Sequence, residues 1–122
     1  DRISLKDGSL NILDKLKSQG KELFLITNAH RITLNIKLKK FNISKYFSEM
    51  VCSHELGYVK EDIQFWHILR LKLKLDYKYS VLVEDTFDNI NSAYHAGLNN
   101  FVYILFVIIK TKNLILIETI NG

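Results

Sequence analysis

Two adjacent carboxylates, Glu84 and Asp85, directly follow the apolar run Val81-Leu82-Val83. Such a run reads as a buried strand, so the acids stand at its C-terminal end. Burying one carboxylate is costly, and burying a neighbouring pair is costlier, unless a cation neutralises them. A hard, oxygen-seeking ion such as Mg²⁺ is the usual partner. Upstream lies a second strand with a polar end, Leu23-Phe24-Leu25-Ile26 followed by Thr27 and Asn28. A hydroxyl and backbone N–H groups at that place suit phosphoryl oxygens. Between the two strands, Lys60 stands near the start of an acid-rich helix, in Gly57-Tyr58-Val59-Lys60-Glu61-Asp62. An ammonium there can neutralise charge on a transferring phosphate.

Each residue also has a plainer use. Thr27 and Asn28 are ordinary helix-capping types, and Lys60 can be a surface lysine paired with Glu61 or Asp62. Glu84-Asp85 can cap a helix, although two acids directly after a buried strand favour a metal. Asp88 reads first as a cap for a helix from Asn89, and second as a further acid in the metal's surroundings. His30 follows Thr27-Asn28-Ala29 closely enough to face the same site, or it lies on the surface. His54, His67 and His95 lack metal-ligand spacing and read as ordinary helix or loop residues. Cys52 and Trp66 read as core, and no glycine-rich phosphate loop or nucleophile elbow is present.

The elements that must position these groups alternate between strand and helix. Leu10, Leu13 and Leu16 recur at helical spacing over 7–19, with Asp7 or Ser9 as N-cap and Gly20 as the stop. A strand over 22–26 follows, then a helix over 31–40 that turns Ile32 and Ile36 inward, with Leu34 and Leu38 as further candidates. Residues 50–52 make a short strand and 62–73 a helix, with Ile63, Trp66 and Leu69 or Arg70 on successive turns. Leu69 to Leu75 alternates with period two, a strand signature. The helix is preferred because this region must link two parallel strands. Strand 80–83, helix 89–96 closed by Gly97, and strand 101–105 complete the pattern, with 106–109 and 114–117 as a possible hairpin. Alternation of this kind implies an α/β domain on a parallel sheet, whose ligands gather at the C-terminal strand ends.

Length and composition bound the rest. The 122 residues suffice for one modest domain, and 48% hydrophobic content can build a core. The net charge of +4 is spread along the chain, which reads as a solvated surface and not a nucleic-acid stripe. A lone cysteine permits no intrachain disulfide and fits a reducing, cytoplasmic setting. The longest apolar run, 101–109, is too short for a bilayer, so no membrane partner is expected. The absence of proline and the initial Asp1 are unusual, and the latter points to a piece of a longer protein or a processed one.

Taken together, Phe24-Leu25-Ile26-Thr27-Asn28, Lys60 and Val81-Leu82-Val83-Glu84-Asp85 resemble motifs two, three and four of the haloacid dehalogenase superfamily. The stretches Leu25 to His30, Ser53 to Asp62 and Glu84-Asp85-Thr86 are similar to its GMP/IMP nucleotidase branch. The likeness runs from about Arg2 to Ile104. It implies a Rossmann-like parallel sheet with flanking helices and phosphoryl transfer through an aspartyl-phosphate, with Mg²⁺ as cofactor and a small phosphorylated substrate, a purine nucleoside 5′-monophosphate. By the motif match, Thr27 and Lys60 are the catalytic residues. Thr27, Asn28 and Lys60 hold the phosphate, and Asp85 with Glu84 beside it holds the metal, directly or through water.

Three departures qualify the likeness. Arg31 and Val59 stand where the branch usually has proline. Beyond Ile104 the tail, 105–122, is apolar where the family has a polar loop. Above all, no two aspartates are separated by one residue, so the superfamily's Asp-x-Asp nucleophile motif is missing. The chain therefore reads as a partial catalytic core over 1–122. It lacks the first, nucleophile-bearing strand and the cap domain, which would belong to an N-terminal portion of the same protein. In this fold that first strand separates the strands carrying Thr27 and Asp85. Without it, Leu23–Ile26 and Val81–Val83 are expected to become direct neighbours, closing from about 10 Å to about 5 Å. The chain alone is expected to be inactive. The competing reading is a truncated or degenerate homologue without catalysis, and a basic nucleic-acid module ranks last.

Overall fold

The structure, a computed structural model, describes residues 9–39, 43–84, 86–103 and 114–119. The chain builds α1 (Ser9–Ser18), β1 (Lys21–Thr27), α2 (Arg31–Leu38), β2 (Glu49–Cys52), α3 (Ile63–Leu73), β3 (Ser80–Glu84), α4 (Phe87–His95), β4 (Phe101–Tyr103) and β5 (Leu114–Thr119). Short 3₁₀ turns occupy Ser44–Tyr46, Ser53–Leu56 and Tyr77–Tyr79.

Local chemistry explains most boundaries. After α1 the backbone turns at Gly20, whose φ of 77° is the left-handed conformation that glycine adopts freely. Asp62 caps α3 by accepting a hydrogen bond from the Gln64 N–H at 2.9 Å. The alternating stretch from Leu69 is helical through Leu73. Its apolar residues divide between the two sides of the helix: Leu69 is buried, whereas Leu71 is 67% exposed. Lys74 then takes the left-handed conformation at φ 56°, and the Leu75 N–H reaches back to the Arg70 carbonyl at 3.0 Å.

α2 corrects one expectation. Ile32 and Ile36 face solvent, at 75% and 60% exposure, while Leu34 and Leu38 enter the core. Residues two apart on a helix point nearly opposite ways, so only one of these pairs can be buried. Arg31 holds the helix start in that rotation. Its guanidinium donates to the Met50 carbonyl at 2.8 Å and pairs with Glu55 at 2.8 Å, pinning the start of α2 against β2 and the turn after it. The pair is more than a third exposed, which makes its contribution small.

The sheet order is β2-β1-β5-β3-β4. β1 pairs with β2 and β3 with β4 in parallel, whereas β5 runs antiparallel between β1 and β3. The expected direct contact of Leu23–Ile26 with Val81–Val83 is therefore wrong: a strand from the tail is wedged between them. Ile115 lies opposite both Leu25 and Val83. The physical reason is satisfaction of backbone groups. Direct pairing would close one edge of β1 and one of β3 but leave the β-prone segment 114–119 unpaired. Insertion closes both edges and pairs both sides of that segment. The direction follows from the connection. β4 ends beside Glu84 and β5 starts beside Ile26, both at the C-terminal edge of the parallel strands, so the chain re-enters the sheet heading back. Of the proposed hairpin, 106–109 lies outside the described residues, and both sides of β5 are already taken by β1 and β3.

Helices cover both faces in three layers. On one face Phe24, Ile26, Val51 and Leu82 pack with Phe65, Trp66 and Leu69 of α3 and Ile90 and Ala93 of α4. On the other, Leu23, Leu25, Cys52 and Val83 meet Leu13 of α1 and Leu34 and Leu38 of α2. The alternation along β1 feeds the two cores in turn. Among the described residues no helix is long and apolar enough to cross a membrane.

Candidate functional site

Parallel strands β1, β2 and β3 end at one edge of the sheet, and the chemically capable residues collect there. Thr27 closes β1 opposite Cys52 of β2 and is buried. Its Oγ1 accepts a hydrogen bond from the Ala29 N–H at 3.0 Å, a turn that leaves the hydroxyl hydrogen available to an acceptor.

Asn28 ties three segments together. Its Oδ1 accepts from the Ser53 hydroxyl at 2.6 Å and from the Lys60 N–H at 3.0 Å, and its Nδ2 donates to Glu61 Oε1 at 3.0 Å. Ser53 is the first residue after β2, so the strand pairing that aligns Thr27 with Cys52 brings Ser53 level with Asn28. Gly57, with φ of 87°, lets the chain reverse after the Ser53–Leu56 turn and lead Lys60 back over the strand ends.

Lys60 is fully buried, and its Nζ lies 3.5 Å from Oε1 of the equally buried Glu84. Glu84 Oε2 accepts from the Thr86 N–H at 2.8 Å. The Lys60 carbonyl is held from below by the Trp66 indole N–H at 2.7 Å, and the Tyr77 hydroxyl donates in turn to the Trp66 carbonyl. Burial pushes the Tyr77 phenol well above its usual range. A buried ammonium and carboxylate in contact neutralise each other, and breaking such a pair is expensive.

The sequence-derived candidates thus divide. Thr27, Asn28, Lys60 and Glu84 converge on one edge. Asp85 lies outside the described residues. Asp88 is exposed in the first turn of α4 and does not cap it, because the helix starts earlier, after Thr86. His30 is exposed beside the Asn28 turn, in ring contact with His54. Sequence reasoning missed Ser53 and Glu61 as partners of Asn28. The end of a strand parallel to β1 was the available signal for Ser53. Asn89 was missed too: it is buried in the first turn of α4, and its Oδ1 has no hydrogen-bond partner among the described residues.

A divalent cation was expected beside Glu84 and Asp85. Both Glu84 oxygens are engaged, one by an ammonium and one by a backbone N–H. Among the described residues no group of three or more His, Cys, Asp or Glu could hold a metal. Glu84 is thus held within the protein by contacts to both of its oxygens. Surface cavities of about 550 Å³ beside Arg70, Tyr77 and Lys78 and about 510 Å³ beside Asn35, Lys39 and Ser44 do not contain these groups. The first lies at the opposite, N-terminal end of β3.

A family model for haloacid dehalogenase-like hydrolases matches residues 1–103. The chain belongs to the haloacid dehalogenase-like hydrolase family. It is 28% identical over 97 residues to the GMP/IMP nucleotidase YrfG of Escherichia coli, and equally so to that of Shigella flexneri. The match takes in 80% of this chain and 44% of the nucleotidase, so the chain spans less than half the length of these relatives. Among solved structures, a candidate β-phosphoglucomutase from Thermotoga maritima superposes with a TM-score of 0.71 at 23% identity, covering 79% of this chain and 44% of that one. A hydrolase from Streptococcus pneumoniae TIGR4 superposes with a TM-score of 0.67 at 24% identity, covering 85% and 52%. At those identities the two structures speak for the fold alone.

Proposed function

We propose that this chain is the phosphate-binding part of a Mg²⁺-dependent phosphatase acting on phosphate monoesters, with purine nucleoside 5′-monophosphates such as IMP and GMP as the substrate class. The observation that carries this reading is the buried lysine at a strand edge. Lys60 is aimed at Glu84, anchored through its N–H by Asn28 and through its carbonyl by Trp66. An ordinary surface lysine needs no such anchoring. The nucleotidase relative supports the substrate class.

In this reading Thr27 donates its hydroxyl hydrogen to a phosphoryl oxygen, and Asn28 shapes the turn that receives it. Lys60 offsets the negative charge that gathers as the phosphoryl group moves. Asp85 is the candidate metal ligand, with Glu84 at one remove. Bound Mg²⁺ would screen the repulsion between an anionic nucleophile and the phosphate. The nucleophilic carboxylate lies outside residues 1–122, so the aspartyl-phosphate forms on a residue this chain does not supply. The 122 residues are then one partial catalytic domain, without turnover of their own.

A second reading, a non-catalytic remnant, is favoured by two features. β5 occupies the space between β1 and β3, and Glu84 already neutralises Lys60. Coding sequence upstream of Asp1 separates the two. An in-frame Asp-x-Asp after an apolar strand supports the enzyme, and a stop codon there supports the remnant. The direct test is phosphate release from IMP and GMP with Mg²⁺. The 122-residue chain is expected to release none. Release that disappears in Lys60→Ala would overturn the claim that the nucleophile lies elsewhere.

A further inference from the structure

His30 and His54 come from different segments, yet their ring centroids are 4.2 Å apart with the planes tilted by 46°. Both side chains are exposed. Among the described residues neither imidazole hydrogen-bonds to the protein. We infer that the two imidazoles form a site for a borderline divalent transition-metal ion such as Zn²⁺ or Ni²⁺, completed by water. This inference stands apart from the phosphatase reading and from its hard Mg²⁺ ion.

The backbone on both sides of the pair is fixed before any ion arrives. The His30 carbonyl accepts from the Leu34 N–H at 2.9 Å as α2 begins, and the His54 carbonyl accepts from the Gly57 N–H at 3.1 Å. The Asn28–Ser53 hydrogen bond at 2.6 Å and the Arg31–Glu55 pair at 2.8 Å fasten the two segments on either side. Only side-chain rotation is left to be ordered on binding, which keeps the entropic cost low. A tetrahedral ion at the usual Zn–N length of about 2 Å holds two ring centroids about 5 Å apart. The rings therefore need to separate by about 1 Å and turn so that one nitrogen of each faces the ion, movements open to exposed side chains.

The donor set also fixes the class of ion. Neutral imidazole suits Zn²⁺, Ni²⁺ and Cu²⁺, whereas Mg²⁺ prefers carboxylate and water oxygens. Glu55, the nearest carboxylate in sequence, is held by Arg31 through both oxygens and is not available to draw a hard ion. An ion at this place would stand beside Asn28 and Ser53, at the rim of the candidate phosphate site.

Titration of the full 122-residue chain with Zn²⁺ in excess Mg²⁺, by calorimetry and by histidine-ring NMR, tests the inference. One ion per chain is expected, shifting the His30 and His54 ring signals together. His30→Asn and His54→Asn should each weaken binding about tenfold or more, whereas His67→Asn should leave it unchanged. Both variants alter exposed side chains, and Asn is a good N-cap residue at position 30. A circular-dichroism melt confirms that they fold. Undetectable Zn²⁺ binding, unchanged affinity in both variants, or shifts at His67 or His95 instead would each overturn the inference.

Discussion

Replacing Lys60 with Met tests the buried charge pair at the centre of the site. The substitution keeps much of the side-chain volume and removes the ammonium 3.5 Å from Glu84 Oε1. Both groups are fully buried, so water does not replace the lost ammonium, and the Glu84 charge keeps only its other protein contacts, the Thr86 N–H among them. Removing one member of such a pair costs about 3–5 kcal/mol. For a domain of this size that corresponds to a fall in Tm of roughly 10–20 °C. Trp66, the only tryptophan in the chain, reports the transition: its indole N–H donates to the Lys60 carbonyl, so fluorescence during urea unfolding reads the same segment. The double variant Lys60→Met/Glu84→Leu should recover most of the loss, because replacing both charges by apolar groups is often neutral or stabilising. A single-variant cost below about 1 kcal/mol, or two substitutions whose costs simply add, would show that the pair is not sealed from water.

Four further outcomes follow from other parts of the structure. Asn28→Ala removes the acceptor for Ser53 and Lys60 and the donor to Glu61, and should cost about 2–4 kcal/mol in urea unfolding. Tyr77 has a raised folded-state pKa because it is buried, so its contribution is complete below the unfolded value of about 10 and is lost as pH rises above it. Thermal melts should therefore show alkaline destabilisation beginning near pH 10, and Tyr77→Phe should blunt it. At the acid end Glu55 is held low by its hydrogen bonds to Arg31, so its small contribution disappears as pH falls below the usual carboxylate range. Ending the chain at residue 113 removes β5, the strand that joins β1 to β3. Hydrogen exchange should then lose protection in β1 and β3, and an intact cooperative transition would contradict the sheet order.

The fold class was legible because hydrophobic period and turn residues agreed along most of the chain. The strand ending at Thr27 and the strand ending at Glu84 were visible as apolar runs with polar ends. Gly20 and Gly97 marked helix ends where they were expected, and each has the positive φ that justifies the glycine. The α2 face was not legible. Ile32, Leu34, Ile36 and Leu38 alternate evenly, so periodicity does not choose the inward pair; the Arg31 contacts with Met50 and Glu55 accompany the rotation that buries Leu34 and Leu38. The position of β5 was also hidden. Segment 114–117 reads as a strand, but its partners depend on which edges the rest of the sheet leaves open, a non-local property that periodicity cannot carry. Within the site, Thr27, Asn28, Lys60 and Glu84 were identifiable from residue type at element ends. Ser53 and Glu61 were not, because their significance comes from one hydrogen-bonding side chain, Asn28, that reaches across segments far apart in the chain.

Titration of the chain with inorganic phosphate, followed by backbone and lysine-ammonium NMR, asks whether these strand ends bind an anion. The largest shifts are expected at Thr27, Asn28, Ala29 and Lys60, and they should vanish in the Lys60→Met/Glu84→Leu double variant, which is expected to stay folded. Shifts concentrated instead at Arg70 and Lys78, on the cavity at the opposite end of β3, would place anion binding away from these strand ends and contradict the assignment.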